Sequence, residues 1–446
     1  MKRASFHTVG CKLNYAETAA IAKKMTQFGF EIVEKDEDAD ILVINSCCVT
    51  AHAEKECHQL IRRGLRISPK AYVVVMGCYA QHNHSEISKI DGVRLVLGSK
   101  EKFSLPEYLT NINGNTKTRI YVDTSEKLEN FVPASSVNYS DRTRAFIKIQ
   151  DGCDYRCAYC VVPLVRGKSR SAGKAEIMKE ALEAVKYGYK EIILTGVNVG
   201  EYGRENGENL LSLLKDLVSI EGLERIRLSS IEPNLITDEL LDFWFEQKKL
   251  CKHWHIPLQS GSDVILQKMN RQYTTAIYRK IVEKIKNEVI HAGVGADVIV
   301  GFPGETEELF KETMDFISEL PLTYLHVFSY SERSNTAAKV MNQKVEPGVK
   351  AERSKILRQI GAMKKRKFYN SFIGKTVPVL FETFKSKGLL SGLTEQYVRV
   401  EVEGKECMIN QIVDVKIERV EDNKCIGNVI SSNFDKFAIM NNGVNK

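Results

Sequence analysis

The sequence predicts an α/β protein in three parts: a parallel α/β sheet at the N-terminus, a central partial (βα)6 barrel, and a small β-barrel at the C-terminus. Three observations predict this. Short β-rich runs alternate with helical stretches from residue 3 to about 110, as in a parallel sheet with crossover helices. The alternation resumes from about 143 to 330 in about six βα units, a run long enough for a sheet to curl towards a barrel. From 374 to 433 the period becomes two. With 446 residues, 43% of them hydrophobic, the chain has the material for two or three cores.

In the first part, ASFHTV, DILVINS, AYVVVMG and VRLVLG read as strands, and YAETAAIAKKMTQFG and AHAEKECHQLIRRGL as helices. Residues 111–142 are polar and irregular and read as a linker. In the second part the strands FIKIQ, EIILTG, RIRLSS, HWHIPL, ADVIVGF and LTYLHVFSY alternate with AEIMKEALEAVKYG, NLLSLLKDLVSI, ITDELLDFWFEQ and ELFKETMDFISEL. In the third, TVPVLFET, QYVRVEV, IVDVKIERV and CIGNVIS are strands separated by Gly-containing turns such as SKGLLSGLTE. The expected divisions are 1–112, a linker over 113–142, 143–370 and 371–435.

Lys and Arg outnumber Asp and Glu to give a net charge of +7, and residues 349–371 alone hold eight Lys or Arg against one Glu. The whole excess therefore sits in one stretch. There Ile356, Ile360 and Met363 recur at helical spacing. Such a stripe docks a helix and leaves Lys364, Lys365, Arg366 and Lys367 outward to bind phosphate. A solvated helix between two domains has the same pattern. Residues 372–446 hold ten basic and ten acidic residues and carry no such bias. The longest apolar runs, such as AYVVVM, are strand-length, and MKRASFHTVGCKLN lacks a continuous apolar core. No membrane span is expected, and the protein is expected to be cytoplasmic.

Eleven cysteines, an odd number in a chain this long, point to ligation rather than to a disulfide framework. Cys153, Cys157 and Cys160 lie within eight positions, one short of the four ligands of a closed structural site. Cys11, Cys47 and Cys78 each follow one of the first three strands, so a parallel sheet brings all three to its carboxyl edge, where ligand crevices lie. Cys48 and Cys57 read as bystanders, and Cys251, Cys407 and Cys425 as core or surface thiols. No histidine or fourth cysteine lies near residues 153–160 to complete a zinc site, whereas soft thiolates suit iron–sulfur clusters. A four-iron cube held by three cysteines keeps one iron open for a small ligand with N, O or S donors.

The C-x-x-x-C-x-x-C of Cys153, Cys157 and Cys160, directly after the first barrel strand, resembles the radical S-adenosylmethionine (SAM) enzymes. The loops LTGVNVGEYG, LSSIEP, HIPLQSGSD and VGFPGETEE follow later strands, on the face where such barrels carry chemistry. GFPGE by itself reads as a tight βα turn with Thr306 starting a helix. More narrowly, HTVGCKLN, INSCCVT, VVMGCYAQ and GCDYRCAYCVVPLVRGKSRS make nearly the whole chain resemble the methylthiotransferases. These join an N-terminal three-cysteine domain, a radical SAM barrel and an RNA-binding β-barrel of the TRAM, OB-like type. TVGCKLN, LTGVNVGEYG and RIRLSSIEP look most like the bacterial enzymes that act on N6-threonylcarbamoyladenosine at position 37 of tRNA. Relatives acting on isopentenyladenosine tend to read GCQMN, and those acting on a ribosomal-protein aspartate GCSKN. Ser46 and Cys48 stand where Thr is usual around Cys47, a departure that leaves the ligand in place.

The resemblance implies transfer of a methylthio group to C2 of the modified adenosine, a C–H that ordinary acid–base catalysis does not functionalise. It implies two 4Fe-4S clusters, a SAM-binding one on Cys153, Cys157 and Cys160 and a sulfur-supplying one on Cys11, Cys47 and Cys78. SAM is then both methyl donor and radical source, and Thr195, Gly196, Asn198, Glu232 and Gln259 in the barrel loops are its expected contacts. The implied partners are tRNA, an electron donor such as a flavodoxin or ferredoxin, and a sulfur donor. The loop of Arg166, Lys168 and Arg170 is expected to meet tRNA phosphate or the SAM carboxylate, with a structural surface loop as the alternative. Methylthiolation of another target, or a non-catalytic iron–sulfur or zinc RNA-binding protein, are the alternatives, and the last leaves the barrel unexplained.

Overall fold

The computed structural model describes residues 2–110, 117–139, 142–385 and 388–430. Its first part runs β1 (Arg3–Thr8), α1 (Lys12–Gln27), β2 (Glu31–Val33), β3 (Ile41–Ser46), α2 (Ala51–Ile67), β4 (Tyr72–Gly77), α3 (Cys78–Ile87), β5 (Val93–Leu97), α4 (Leu105–Leu109) and β6 (Arg119–Tyr121). These strands form one parallel sheet in the order β2-β1-β3-β4-β5-β6. Strand alternation decides which face each residue buries. Leu42, Ile44, Val73 and Val75 pack with Ala53 and Ile61 of α2, whereas Ile41, Val43, Val74 and Met76 pack with Ile21 and Met25 of α1. Burial on both faces explains why the central strands read as continuous apolar runs.

Two edge strands, β2 and β6, are additions to the sequence reading, and β6 corrects it. Residues 119–121 lie in the expected linker yet extend the sheet beside β5, with Leu95 opposite Arg119. The expected boundary at residue 112 and the expected end at residue 435 lie outside the described residues.

The second part runs β7 (Arg144–Lys148), β8 (Gln150–Asp151), α5 (Val162–Arg166), β9 (Arg170–Ser171), α6 (Lys174–Lys186), β10 (Glu191–Thr195), α7 (Leu210–Val218), β11 (Arg225–Leu228), α8 (Asp238–Glu246), β12 (His253–His255), α9 (Asp263–Lys268), α10 (Thr275–Glu288), β13 (Gly293–Val300), α11 (Glu307–Glu319) and β14 (Tyr324–Ser329). Parallel sheets β7-β10-β11 and β12-β13-β14 meet at a bridge between Ile226 and Leu250, giving an arc of six strands. Ile147, Leu194, Ile226, Trp254, Ala296 and Val298 face outward onto the helices. The alternate residues therefore line the inner face, which is polar: Lys148, Glu191, Arg227, His253, His255, Asp297 and His326. Helix α1 of the first part packs there, with Ala16 against Phe146 and Ile193.

The third part is α12 (Pro347–Asn370) followed by β15 (Thr376–Lys385), β16 (Leu389–Thr394), β17 (Arg399–Glu403), β18 (Ile412–Glu421) and β19 (Lys424–Val429), closed as β15-β16-β17-β19-β18. SKGLLSGLTE, expected as a turn, supplies β16, where a Cβ on Gly392 would strike Leu380 O at 2.3 Å. Glycine is thus a packing requirement of the strand, not a turn signal. The docking stripe of α12 is also corrected. Ile356 and Ile360 pack against the barrel core as expected, but Met363 is 63% exposed, and the docked face runs instead through buried Leu357 and Gly361, where glycine permits close approach to Leu325 of β14.

Buried charges join the first two parts. The Glu17 carboxylate of α1 accepts from Lys102 (2.6 Å), Lys148 (3.2 Å) and both terminal nitrogens of Arg166 (2.9 Å each). Asp151 pairs with Arg166 (2.8 Å) and Lys148 (2.7 Å). Burial alone would raise the Glu17 carboxyl, but Arg166, Lys102 and Lys148 hold it far below its ordinary 4.5. Replacing Glu17 by Gln should therefore destabilise the protein by about 3–5 kcal/mol at neutral pH, since three cations lose their shared partner. A carboxyl lowered in the fold contributes fully above pH 4.5 and loses that contribution progressively as pH falls from there through its lowered value in the fold. The difference between wild type and Glu17→Gln in thermal unfolding should accordingly narrow on acidification; a constant difference contradicts this account.

Candidate active site

The carboxyl edge of the first sheet holds the first thiol group. Cys11 caps α1, Cys47 follows β3, and Cys78 opens α3. Their strand ends are tied together. Asn14 donates to Val9 O (2.9 Å) and Ser46 O (3.2 Å), and Ser46 Oγ donates to Met76 O (2.6 Å). Any hydroxyl residue serves that last role, which accounts for Ser46. Gly10 has φ +99, and a Cβ there would meet Cys47 Sγ at 2.9 Å, so glycine lets the Cys11 turn close on Cys47. Burial, with Cys78 and Cys11 adding to it, pushes the Cys47 thiol up to about 12. Three thiols in mutual electrostatic reach disfavour three thiolates, and a ligated cluster relieves that cost. Cys48 is nearer this group than expected: β3 ends before it, and burial with the neighbouring Cys78 and Cys47 raises its thiol too.

The second group sits above β7. Gly152, with φ +74, brings the chain so close to the strand β9 loop that a Cβ would lie 1.9 Å from Lys168 O. Cys153 N donates to Gly167 O (3.2 Å), Cys160 N to Cys157 O (3.0 Å) and Ala158 N to Met269 O (2.9 Å), which pins the loop. Cys160 Sγ accepts from Val162 N (3.4 Å) and Cys157 Sγ from Arg271 Nη1 (3.1 Å). Burial, with Cys157 beside it, pushes the Cys160 thiol up to about 12. N–H donors aimed at thiol sulfurs suit anionic, cluster-bound thiolates, so both donor sets fit a 4Fe-4S cluster.

The barrel loops expected to hold SAM converge on the mouth of this arc. Thr195 ends β10, and Gly196 packs on Gln150, whose Oε1 accepts from Val197 N and Asn198 N (2.9 Å each). Asn198 is buried with neither side-chain polar atom bonded, an orphaned amide that a polar ligand would satisfy. Glu232 pairs with Arg271, which links it to Cys157; its carboxyl is raised by burial. Gln259 adopts φ +63 and follows β12, and its N donates to Asp297 O (2.8 Å). The GFPGE turn is structural, as read: Glu305 accepts from Gly301 N and pairs with Arg353, and Thr306 caps α11.

Arg166 and Arg170 are corrected. Both are buried, Arg166 against Glu17, Asp151 and Asn14, and Arg170 against the carbonyls of Arg166 and Lys168 (2.7 and 2.8 Å). Neither faces an RNA-accessible surface; only Lys168 of that loop is exposed. Arg166 Nε instead donates to Cys78 Sγ at 3.2 Å, so the helix after the second thiol group reaches the first. On α12, Lys364 is also spent, donating to Ser318 O (2.9 Å) and Leu320 O (2.7 Å) at the end of α11. Lys365 lies over the Tyr369 ring, and Arg366 and Lys367 are exposed. Sequence reasoning missed Arg271, 114 positions from Cys157; its only signal is a basic residue, in MNRQY, in the turn between α9 and α10. Beside Cys11 opens a cleft of about 1220 Å³, lined among others by Lys12, Tyr15, Arg142 and Phe146.

Comparison with known proteins agrees with this architecture. The Radical SAM superfamily matches residues 147–317, the Uncharacterized protein family UPF0004 residues 3–98, and the TRAM domain residues 370–430. A threonylcarbamoyladenosine tRNA methylthiotransferase of Bacillus subtilis is 39% identical over 94% of each chain, and that of Aquifex aeolicus is 37% identical over 90% of this chain and 97% of the other. A tRNA-2-methylthio-N(6)-dimethylallyladenosine synthase of Fusobacterium nucleatum is 34% identical over 96% of this chain and all of the other. Among solved structures, the radical S-adenosylmethionine methyltransferase TsrM from Kitasatospora setae superposes with a TM-score of 0.55 at 15% identity, covering 76% of this chain and 77% of that one. With relatives of this identity spanning nearly the whole of both chains, the protein belongs to the radical SAM tRNA methylthiotransferases.

Proposed function

We propose that this enzyme methylthiolates C2 of N6-threonylcarbamoyladenosine at position 37 of tRNA, with Cys153, Cys157 and Cys160 holding the SAM-binding cluster and Cys11, Cys47 and Cys78 the sulfur-supplying one. The observation that carries the reading is that there are two separate three-thiol groups, one in each of the first two domains, and that Arg166, on the helix that follows Cys160, donates to Cys78 of the other group and to Asp151 just before Cys153. When bound, the clusters and SAM supply the one-electron chemistry and the methylthio group that an unactivated C–H requires. The protein's own part is positional. Arg166 and Asn14 hold the first thiol group against the barrel, and Arg271 donates to Cys157 while fixing Glu232. The orphaned Asn198 amide and the turn at Gly196 suit a polar ligand beside the second group. An electron donor such as a flavodoxin or ferredoxin, a sulfur donor and a cytoplasmic setting complete the proposal. Among the described residues no helix is long and apolar enough to cross a membrane.

The dimethylallyl-named relative keeps a second substrate in view. Purified tRNA bearing either N6 group, incubated with reduced enzyme and SAM, decides between them: methylthio product only on the threonylcarbamoyl tRNA is expected, and product only on the dimethylallyl tRNA rejects the assignment.

Reconstituted protein should carry about eight irons per chain, two four-iron clusters. Replacing Cys153, Cys157 and Cys160 by Ala should halve the iron and abolish SAM cleavage. Replacing Cys11, Cys47 and Cys78 should also halve the iron but leave SAM cleavage without methylthio product. Iron unchanged in either triple variant defeats the assignment.

Because Lys364 already binds carbonyls, the RNA contact of α12 reduces to Lys365, Arg366 and Lys367. Neutralising these three should make the salt slope of tRNA binding shallower by up to about three times 0.7–0.9, whereas Lys364→Gln alone should leave it unchanged. Equal slopes in the triple variant and wild type would identify α12 as a solvated strut.

A further inference from the structure

Beside the Gln259 and Glu232 loops, the inner face of β12, β13 and β14 carries a set of side chains to which the proposed chemistry gives no role. Asp297 Oδ1 lies 3.1 Å from His255 Nε2 and 3.1 Å from His326 Nδ1, and the donor atoms of the three residues all lie within 4.8 Å of one another. Parallel register produces this grouping: Asp297 is directly opposite His326, and His255 is directly opposite Gly295, two positions before Asp297 on the same face.

The contacts differ in kind. His326 Nδ1 makes a hydrogen bond with Asp297, whereas His255 Nε2, at the same distance, meets the same carboxylate outside good hydrogen-bond geometry. The imidazole nitrogen of His255 is thus near the carboxylate but not aligned with it, as when two donors aim at a shared point rather than at each other. The other nitrogen, Nδ1, is held by Ser230 Oγ at 2.6 Å, the kind of outer partner that fixes the tautomer and ring plane of a ligating histidine. The walls are built too. Tyr324 lies across Gly295, where a Cβ would fall 2.0 Å from the ring, and it stacks with His255 at 20°. His255 and Asp297 are largely buried and His326 is half exposed, so one side of the group stays open.

Two imidazoles and one carboxylate on one side of a centre, with the rest open, is the donor set that binds divalent first-row transition ions. The geometry points to a divalent metal site on His255, Asp297 and His326, oriented by Ser230, whose remaining positions face the interior of the arc. The N2O donors distinguish it from the thiol groups: a hard ion such as Mn2+ prefers it to cysteine sulfur.

The test uses full-length protein with both clusters in place and Mn2+ alone as the probe, counting free Mn2+ by its room-temperature electron paramagnetic resonance. One saturable site per chain is expected. His326→Ala and Asp297→Asn should each weaken it by at least about tenfold, with iron content and RNA-free SAM cleavage unchanged in His326→Ala. If Asp297→Asn does not fold, His326→Ala, at the exposed edge of the group, decides alone. No saturable site in wild type, or one that keeps its affinity in His326→Ala, overturns the proposal.

Discussion

The architecture depends on one buried carboxylate. Glu17 stands on the helix that follows Cys11, and its partners come from three places: Lys102 from its own domain, Lys148 from the first barrel strand, and Arg166 from the helix behind Cys160. None of these charges is stable in the interior alone. Each therefore fixes the position of the others, and with them the position of Cys78, which Arg166 touches directly. A thiol at the end of a strand in one domain is thereby held relative to a loop in another by charge rather than by chain connection.

The inner face of the strand arc follows the same logic at its other end. Arg225 and Arg227 reach out of the barrel to the carbonyls of Pro378, Leu393, Thr394 and Glu395, which belong to the C-terminal β-barrel. Tyr397, held at φ +70, stacks on His253 at 4.7 Å with Lys12 of the first domain over its ring. All three parts meet at that tyrosine. A non-glycine residue in the left-handed region costs free energy, and here surrounding contacts from three domains hold it. The C-terminal domain is thus docked through arginine-to-carbonyl bonds, and its lack of net charge is no obstacle.

Much of this was legible in one dimension, for reasons that also mark the limit. Strands such as DILVINS announce themselves because both their faces are buried, and both cysteine triplets were visible because spacing in one case and strand ends in the other group them. Edge strands β2 and β6, each of three residues, are too short to show a period. On α12, Ile356 and Ile360 of the apolar stripe dock but Met363 does not, because the docked face runs through Gly361, a residue that contributes by absence of a side chain. Arg166 was expected outside because basic residues usually are. Its burial depends on Glu17, 149 positions earlier, and Arg271 depends on a cysteine 114 positions away. Pairings of that span leave no local pattern.

The order in which these partners appear along the chain has a consequence for synthesis. Domains tend to fold as units, N-terminal first, as the chain is made. Glu17 is then made, with the rest of its sheet, before the barrel that supplies Lys148 and Arg166 and covers that face of α1. Lys102, in the same domain and fully buried 2.6 Å from it, is available at that stage. Lys148 and Arg166 arrive later and convert a pair into a junction. The first domain can close on its own cation and still keep an acceptor oxygen ready for the barrel that has yet to emerge.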